Sequence, residues 1–127
     1  MYAFEIERPS TIADAVNALK GEDAQALGGG QTLIPTLKQR LAAPSVLVSL
    51  AKIDKLKGIS SDSGTVTVGA GTCHADVAAD DTISALSALA GGIGDPAVRN
   101  RGTIGGSLAN NDPSACYPAA ALGLGAT

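Results

Sequence analysis

Three consecutive glycines, Gly28, Gly29 and Gly30, run directly into Gln31, Thr32 and an apolar helical pattern at Leu33, Ile34, Leu37 and Leu41. Glycine costs about 0.5–1 kcal/mol of backbone entropy relative to alanine, so a run of three demands a reason such as a tight turn or a close approach of the backbone. The preceding Ala24-Gln25-Ala26-Leu27 reads as a strand, which places the run at a strand-to-helix junction. Backbone N–H groups at a helix N-terminus lack intrahelical partners, and together with the positive end of the helix dipole they favour an anion such as a phosphate. The same pattern also serves a plain turn between a strand and a helix.

The surrounding sequence alternates strand and helix. Tyr2-Ala3-Phe4-Glu5-Ile6 has period two and reads as a short strand ended by Pro9. Ser10 or Thr11 offers an N-cap, with Asp14 placed as in a capping box, and Ile12, Val16 and Leu19 fall on one helical face of a helix over about residues 11–20 closed by Gly21. Pro35 is tolerated in the first turn of the next helix, and Pro44 ends it. Val46-Leu47-Val48-Ser49-Leu50 then reads as a buried strand. Residues 1–55 therefore predict a small α/β lobe.

From residue 56 to 127 the rhythm changes and predicts a second, α+β lobe. Ser61-Asp62-Ser63-Gly64 is a turn cluster, and Thr65 to Ala70 alternates as the one clear strand. Asp76 to Asp81 and Thr82 to Leu89 predict a short and a longer helix, terminated by Gly91, Gly92 and Gly94. Residues 95–118 read as loop, and a third helix is expected from Tyr117 or Pro118 through Leu124. The apolar stretch from Tyr117 to Thr127 stops inside a core-forming pattern. It predicts a piece of a longer polypeptide, with a truncated second lobe, an open strand edge and an exposed apolar patch that favour association.

Composition narrows the function. Nine Lys+Arg against twelve Asp+Glu give a net charge of -3 without a basic run, which argues against nucleic acid. No apolar run is long enough to span a bilayer, and Glu5, Glu7 and Arg8 interrupt any signal-like N-terminus, so Cys73 and Cys116 are read as reduced thiols of a cytoplasmic protein. His74, beside Cys73 and near Asp76, is read as structural and not as a metal ligand, because adjacent Cys and His side chains rarely converge on one ion. Neither Ser107 nor Ser114 has a base or a nucleophile elbow, so hydrolase chemistry is unsupported.

A second glycine-rich segment, Arg99-Asn100-Arg101-Gly102-Thr103-Ile104-Gly105-Gly106-Ser107, joins two cations, hydroxyls and a glycine pair whose amides can form an anion nest. Solvated arginines and a simple turn explain it equally well when it is taken alone. Two such segments in one small chain point to a ligand with two phosphates. Neither has the G-x-G-x-x-G or the G-x-x-x-x-G-K-[ST] spacing, which disfavours a Rossmann or P-loop site.

At these segments the chain resembles a known family. Residues 28–33 look like the A-G-G-Q-S-L phosphate loop, and residues 94–107 look like the second loop, of the flavin-binding medium subunit of the molybdenum hydroxylases, the carbon monoxide dehydrogenase and xanthine dehydrogenase family. The resemblance implies the N-terminal part of a two-lobed, PCMH-type FAD-binding domain. On that analogy FAD is held by Gly28, Gly29, Gly30, Gln31, Thr32 and Leu33 and by Thr103, Ile104, Gly105, Gly106 and Ser107, with Asp112 in the continuing Ala109-Asn110-Asn111-Asp112-Pro113 pattern. Many relatives carry a cofactor-contacting aspartate where this chain has Cys116, and a thiol is a poor substitute for a carboxylate acceptor. The resemblance further implies a hetero-oligomer with a molybdenum-cofactor large subunit and an iron-sulfur small subunit, in which FAD collects electrons for an acceptor and no side chain of this subunit acts as acid or base. The competing reading is a non-redox diphosphate-nucleotide-binding or assembly module with a decayed flavin site.

Overall fold

The computed structural model describes residues 1–127, which divide into two compact units, Met1–Lys55 and Leu56–Thr127. The first contains β1 (Glu5–Glu7), α1 (Ile12–Ala18), β2 (Ala24–Leu27), α2 (Leu33–Lys38) and β3 (Val46–Ser49). Its three strands are parallel in the order β1-β3-β2, with Leu47 facing both Ile6 and Gln25 in register. Parallel neighbours need crossover connections, and α1 and α2 supply them. The central strand is the most apolar: Leu47 and Val48 are fully buried, joined by Leu37 from α2, Ala15 from α1 and Ile53 just beyond β3.

Two expectations in this unit are corrected. The first strand spans Glu5–Glu7, not residues 2–6, because pairing begins where the Glu5 amide donates to Ser45 O at 2.9 Å. Tyr2 lies outside it, with the Arg40 guanidinium 5.6 Å from its ring centroid. In α1 the Thr11 cap is as expected, its hydroxyl accepting the Asp14 amide at 3.1 Å, but the buried residue is Ala15. Ile12 and Val16 are 44% and 50% exposed. The helix turns Ala15, and not Ile12 or Val16, to the buried side, so apolar periodicity alone does not identify that face.

The second unit opens with a hairpin. β4 (Ile59–Asp62) pairs antiparallel with β5 (Thr65–Val68), so the expected lone strand has its partner inside the chain. The turn is Ser63-Gly64, with φ of 49° and 83°, the two positive values that a type I′ connection requires. Five helices follow: α3 (His74–Ala79), α4 (Ser84–Gly91), α5 (Pro96–Arg99), α6 (Ile104–Asn110) and α7 (Cys116–Gly123). Val77, Leu86, Ala90 and Tyr117 form the core, with Ile59, Val68 and Ile104 packed against it. The fold class is α+β, as the sequence predicts.

The segment read as loop, residues 95–118, holds two of these helices. Asp95 caps α5 by accepting the Val98 amide at 2.9 Å, ahead of Pro96 in the first turn. Thr103 caps α6 by accepting the Gly106 amide at 3.1 Å. Gly105 and Gly106 each weaken a helix by about 1 kcal/mol relative to alanine, which is why the pattern reads as loop. Tertiary hydrogen bonds decide otherwise.

The Ser63 backbone is in a region that asparagine tolerates better than serine. Ser63→Asn is expected to stabilise the chain by about 0.5 kcal/mol, the loss of the exposed Ser63-to-Asp62 hydrogen bond notwithstanding. Chemical denaturation measures it, and a lowered midpoint would refute the turn assignment.

Candidate functional site

Residues 28–32 lie between β2 and α2, and Leu33 begins α2, at the strand-to-helix junction that the sequence predicts. Gly30 has φ of 73°, and a Cβ there would approach Ile34 Cγ1 at 3.0 Å and Leu27 Cδ1 at 3.3 Å, so the turn itself requires this glycine. Gly28 and Gly29 are outside the positive-φ region, so no turn geometry demands glycine at either. Ile34 N donates to Gly30 O at 3.0 Å. The amides of Gln31, Thr32 and Leu33 precede that first helical bond, so they have no preceding turn of carbonyls to donate to. Gln31 turns its side-chain amide back to Gly29 O at 3.1 Å, and Thr32 makes no side-chain cap bond, leaving its hydroxyl available. Gly28, Gln31 and Thr32 are exposed, so an incoming anion meets backbone and a hydroxyl without an intervening apolar side chain. This segment fits a phosphate.

The second segment is built differently. The amides that begin α6 are already engaged: Ile104 N donates to Thr72 O at 3.1 Å, Gly105 N to Ala70 O at 2.9 Å and Gly106 N to the Thr103 hydroxyl. An anion nest from these amides is therefore not present. Gly105 is a packing glycine, since a Cβ would lie 2.5 Å from Ala70 Cβ and 2.6 Å from Ala70 O. Gly102 is another, with a Cβ falling 2.4 Å from His74 Nε2. What remains for a ligand here is the half-buried Ser107 hydroxyl, the donor proton of the buried Thr103 hydroxyl, and the exposed backbone of Gly106, where a Cβ would fall 2.8 Å from Thr103 Oγ1. Arg99 is neither a free cation nor simply solvated: its guanidinium donates to Ile93 O at 3.1 Å and to Gly94 O at 2.9 Å. Arg101 is exposed.

Asp112 and Thr103 lie beyond opposite ends of α6, a separation of about 10 Å along a helix of this length. Asn111 ends that helix in the left-handed conformation, and the Asp112 carboxylate then accepts the Ser114 amide at 2.8 Å. Cys116 is exposed at the first position of α7, and both cysteines are free thiols. Burial pushes the Cys73 thiol up, and Asp76 pushes it the same way, while Lys57 and Arg101 oppose them. No group of three His, Cys, Asp or Glu side chains is placed to hold a metal ion, and no helix is long and apolar enough to cross a membrane. His74, read from the sequence as structural, and Gly102 of the second segment are in direct contact at the start of α6, a pairing that no local pattern signals.

Gly105→Ala is expected to destabilise the FAD-free chain by about 1–3 kcal/mol, the usual cost of overpacking, because the neighbour it meets is backbone. Thermal or urea unfolding reads this out. An unchanged apo stability would mean that Gly105 is kept for a ligand and not for Ala70.

Comparison with known proteins places this geometry. The family described as "FAD binding domain in molybdopterin dehydrogenase" matches residues 2–127. The chain is 44% identical over 130 residues to a carbon monoxide dehydrogenase medium chain of Afipia carboxidovorans, covering 98% of this chain and 45% of that one. It is 38% identical over 127 residues to the corresponding chain of Hydrogenophaga pseudoflava, covering 95% and 44%. Among solved structures, carbon monoxide dehydrogenase from Hydrogenophaga pseudoflava superposes with a TM-score of 0.89 at 40% identity, over 93% of this chain and 43% of that one. Quinoline 2-oxidoreductase from Pseudomonas putida 86 gives 0.89 at 37% identity, over 92% and 43%. The chain thus spans less than half the length of these relatives.

Proposed function

We propose, from the premise that this chain belongs to the FAD-binding domain family of the molybdopterin dehydrogenases, that it is the part of an electron-transfer subunit that holds the phosphate end of FAD. The observation that carries the reading is the run of residues 28–33, where two glycines that no turn requires stand beside amides that no carbonyl receives. Gly28 and Gly29 let the backbone come against phosphate oxygens, and Gln31, Thr32 and Leu33 present their N–H groups. Thr103 and Ser107 contribute hydroxyls, Gly106 an exposed backbone that keeps the Thr103 hydroxyl uncrowded, and Ile104 and Gly105 the packing that fixes both hydroxyls. Asp112 keeps one oxygen for its turn and has the other to accept a hydroxyl. FAD, when bound, supplies the redox chemistry, taking up electrons and passing them to an acceptor. The chain's own residues bind and orient it and transfer no proton.

The whole protein then acts as an oxidoreductase subunit in the cytoplasm. Its partners are a large subunit carrying the molybdenum cofactor, which oxidises the substrate, and a small iron-sulfur subunit that delivers electrons. The relatives support this arrangement, being medium chains and FAD subunits of dehydrogenases.

Gly29→Val is expected to weaken FAD binding by about 1–3 kcal/mol, the cost of hydrogen bonds to phosphate lost behind a new side chain. Calorimetric titration with FAD measures it, and undiminished affinity in a folded variant would sink the reading. Cys116→Asp is expected to tighten FAD, since a carboxylate supplies the acceptor that a thiol fills poorly. Placed at the start of α7 it should also stabilise the apo chain by about 0.5 kcal/mol through the helix dipole. Stabilisation without tighter FAD would show that residue 116 does not face the cofactor.

A further inference from the structure

His74 is 5% exposed, and its Nδ1 has no hydrogen-bond partner. Its ring is bounded on one side by Gly102, whose Cα leaves no room for a side chain, and on another by Tyr117, tilted by 47° with ring centroids 5.3 Å apart. The Tyr117 hydroxyl is likewise buried and unpaired. The His74 amide donates to Gly102 O at 3.0 Å, and Cys73 bridges Thr103. One imidazole therefore touches both the residue that leads into α6 and a residue in the first turn of α7.

We propose that His74 is a positioning residue for FAD: its neutral ring acts as a spacer that sets Gly102 and, through it, the Thr103 and Ser107 hydroxyls. The inference rests on the functional reading above, which assigns those hydroxyls to the cofactor. A hydrogen-bonded ring is held by its partners, whereas Nδ1 of this ring has none and is held by packing. An imidazolium has two donors and needs acceptors for them. Nδ1 has none, so protonation must either bury an unshared charge or move the ring against Gly102.

No nearby charge offsets that effect. Helices α4 and α6 carry no titratable side chain, and α7 brings only Cys116 and Tyr117, whose hydroxyl burial pushes up to about 12. Arg99 of α5 is occupied by the Ile93 and Gly94 carbonyls, and Arg101 follows it. On its own helix His74 has Asp76 and the preceding Cys73. Burial alone accounts for the lowered pKa of His74. The sign follows: above 6.5, the ordinary value, the ring is neutral in every state, and below it a released or loosened ring takes a proton that the packed ring refuses. The packed arrangement thus loses ground as pH falls below 6.5.

The test is FAD titration of the full chain across about pH 7.5 to 5.5, where a drop in affinity of roughly tenfold is expected. His74→Phe, which keeps a ring and removes the proton, should bind FAD with a flat profile over that range. In the FAD-free chain, amide exchange of residues 104–107, corrected for intrinsic rates, should accelerate toward acid in the wild type and not in His74→Phe. Gly102→Ala should loosen the same amides, and His74→Ala in that background should restore part of their protection by making room for the methyl. A wild-type profile that is flat, or that His74→Phe retains, overturns the inference while leaving the FAD reading intact. Absence of FAD binding at every pH with acid-dependent exchange still abolished by His74→Phe would overturn the FAD reading and leave His74 as the spacer of α6 alone.

Discussion

Two chain segments in the second unit satisfy each other's helix starts. The first amides of a helix have no carbonyl behind them within the helix. Here the His74 amide at the start of α3 donates to Gly102 O, while the Ile104 and Gly105 amides at the start of α6 donate to Thr72 O and Ala70 O. The antiparallel bridge between Cys73 and Thr103 lies in the middle of this exchange. Packing this close excludes side chains, hence glycine at 102, against the His74 ring, and at 105, against Ala70. Gly69 is subject to the same limit from the other direction, its Cβ position lying 2.5 Å from Leu56 O, and that contact turns the chain out of β5. The hairpin, α3 and α6 are placed by this one interlock.

The sequence shows why one unit was more legible than the other. In Met1–Lys55 the elements are separated by local signals: Pro9, the Thr11 cap, Gly21, Pro35 in a first turn and Pro44. Each acts within a few residues, so reading along the chain recovers the alternation of strand and helix and the buried third strand, while the parallel order β1-β3-β2 comes from the structure. In the second unit α6 carries Gly105 and Gly106, poor helix formers, and its start is held by the Ile104 and Gly105 amides donating to Thr72 O and Ala70 O, more than thirty positions earlier. No local window contains that information. Thr103 as a capping residue and Asp95-Pro96 as a helix start were visible signals, outweighed by the density of Gly, Asn and Asp around them. Ile59–Asp62 was missed as a strand because Ser60, Ser61 and Asp62 give it no apolar alternation.

The two glycine segments teach the same lesson from the side of function. Both look like anion loops, yet glycine is present in them for opposite reasons. Gly28 is exposed and Gly29 half-buried, neither with positive φ, whereas glycine at 102 and 105 leaves room for the His74 ring and for Ala70. A hydrogen-bond account of each amide separates the cases, and residue types cannot. The family match spans residues 2–127 and so covers both segments without distinguishing contact from support.

That distinction limits what the second unit contributes to holding a flavin. Tyr117 is its only Tyr, Phe or Trp, and it is spent in the core at 1% exposure beside His74. Stacking on an aromatic ring, the usual way to gain energy from a planar cofactor, is therefore not offered by this unit. Its proposed contacts rest on hydroxyls whose positions depend on the interlock beneath them. A hydroxyl displaced by a fraction of its hydrogen-bond length loses most of that bond, whereas a stacked ring tolerates sliding. A site built from such groups needs a rigid base, and close-packed glycine backbone around a buried, unpaired imidazole supplies one.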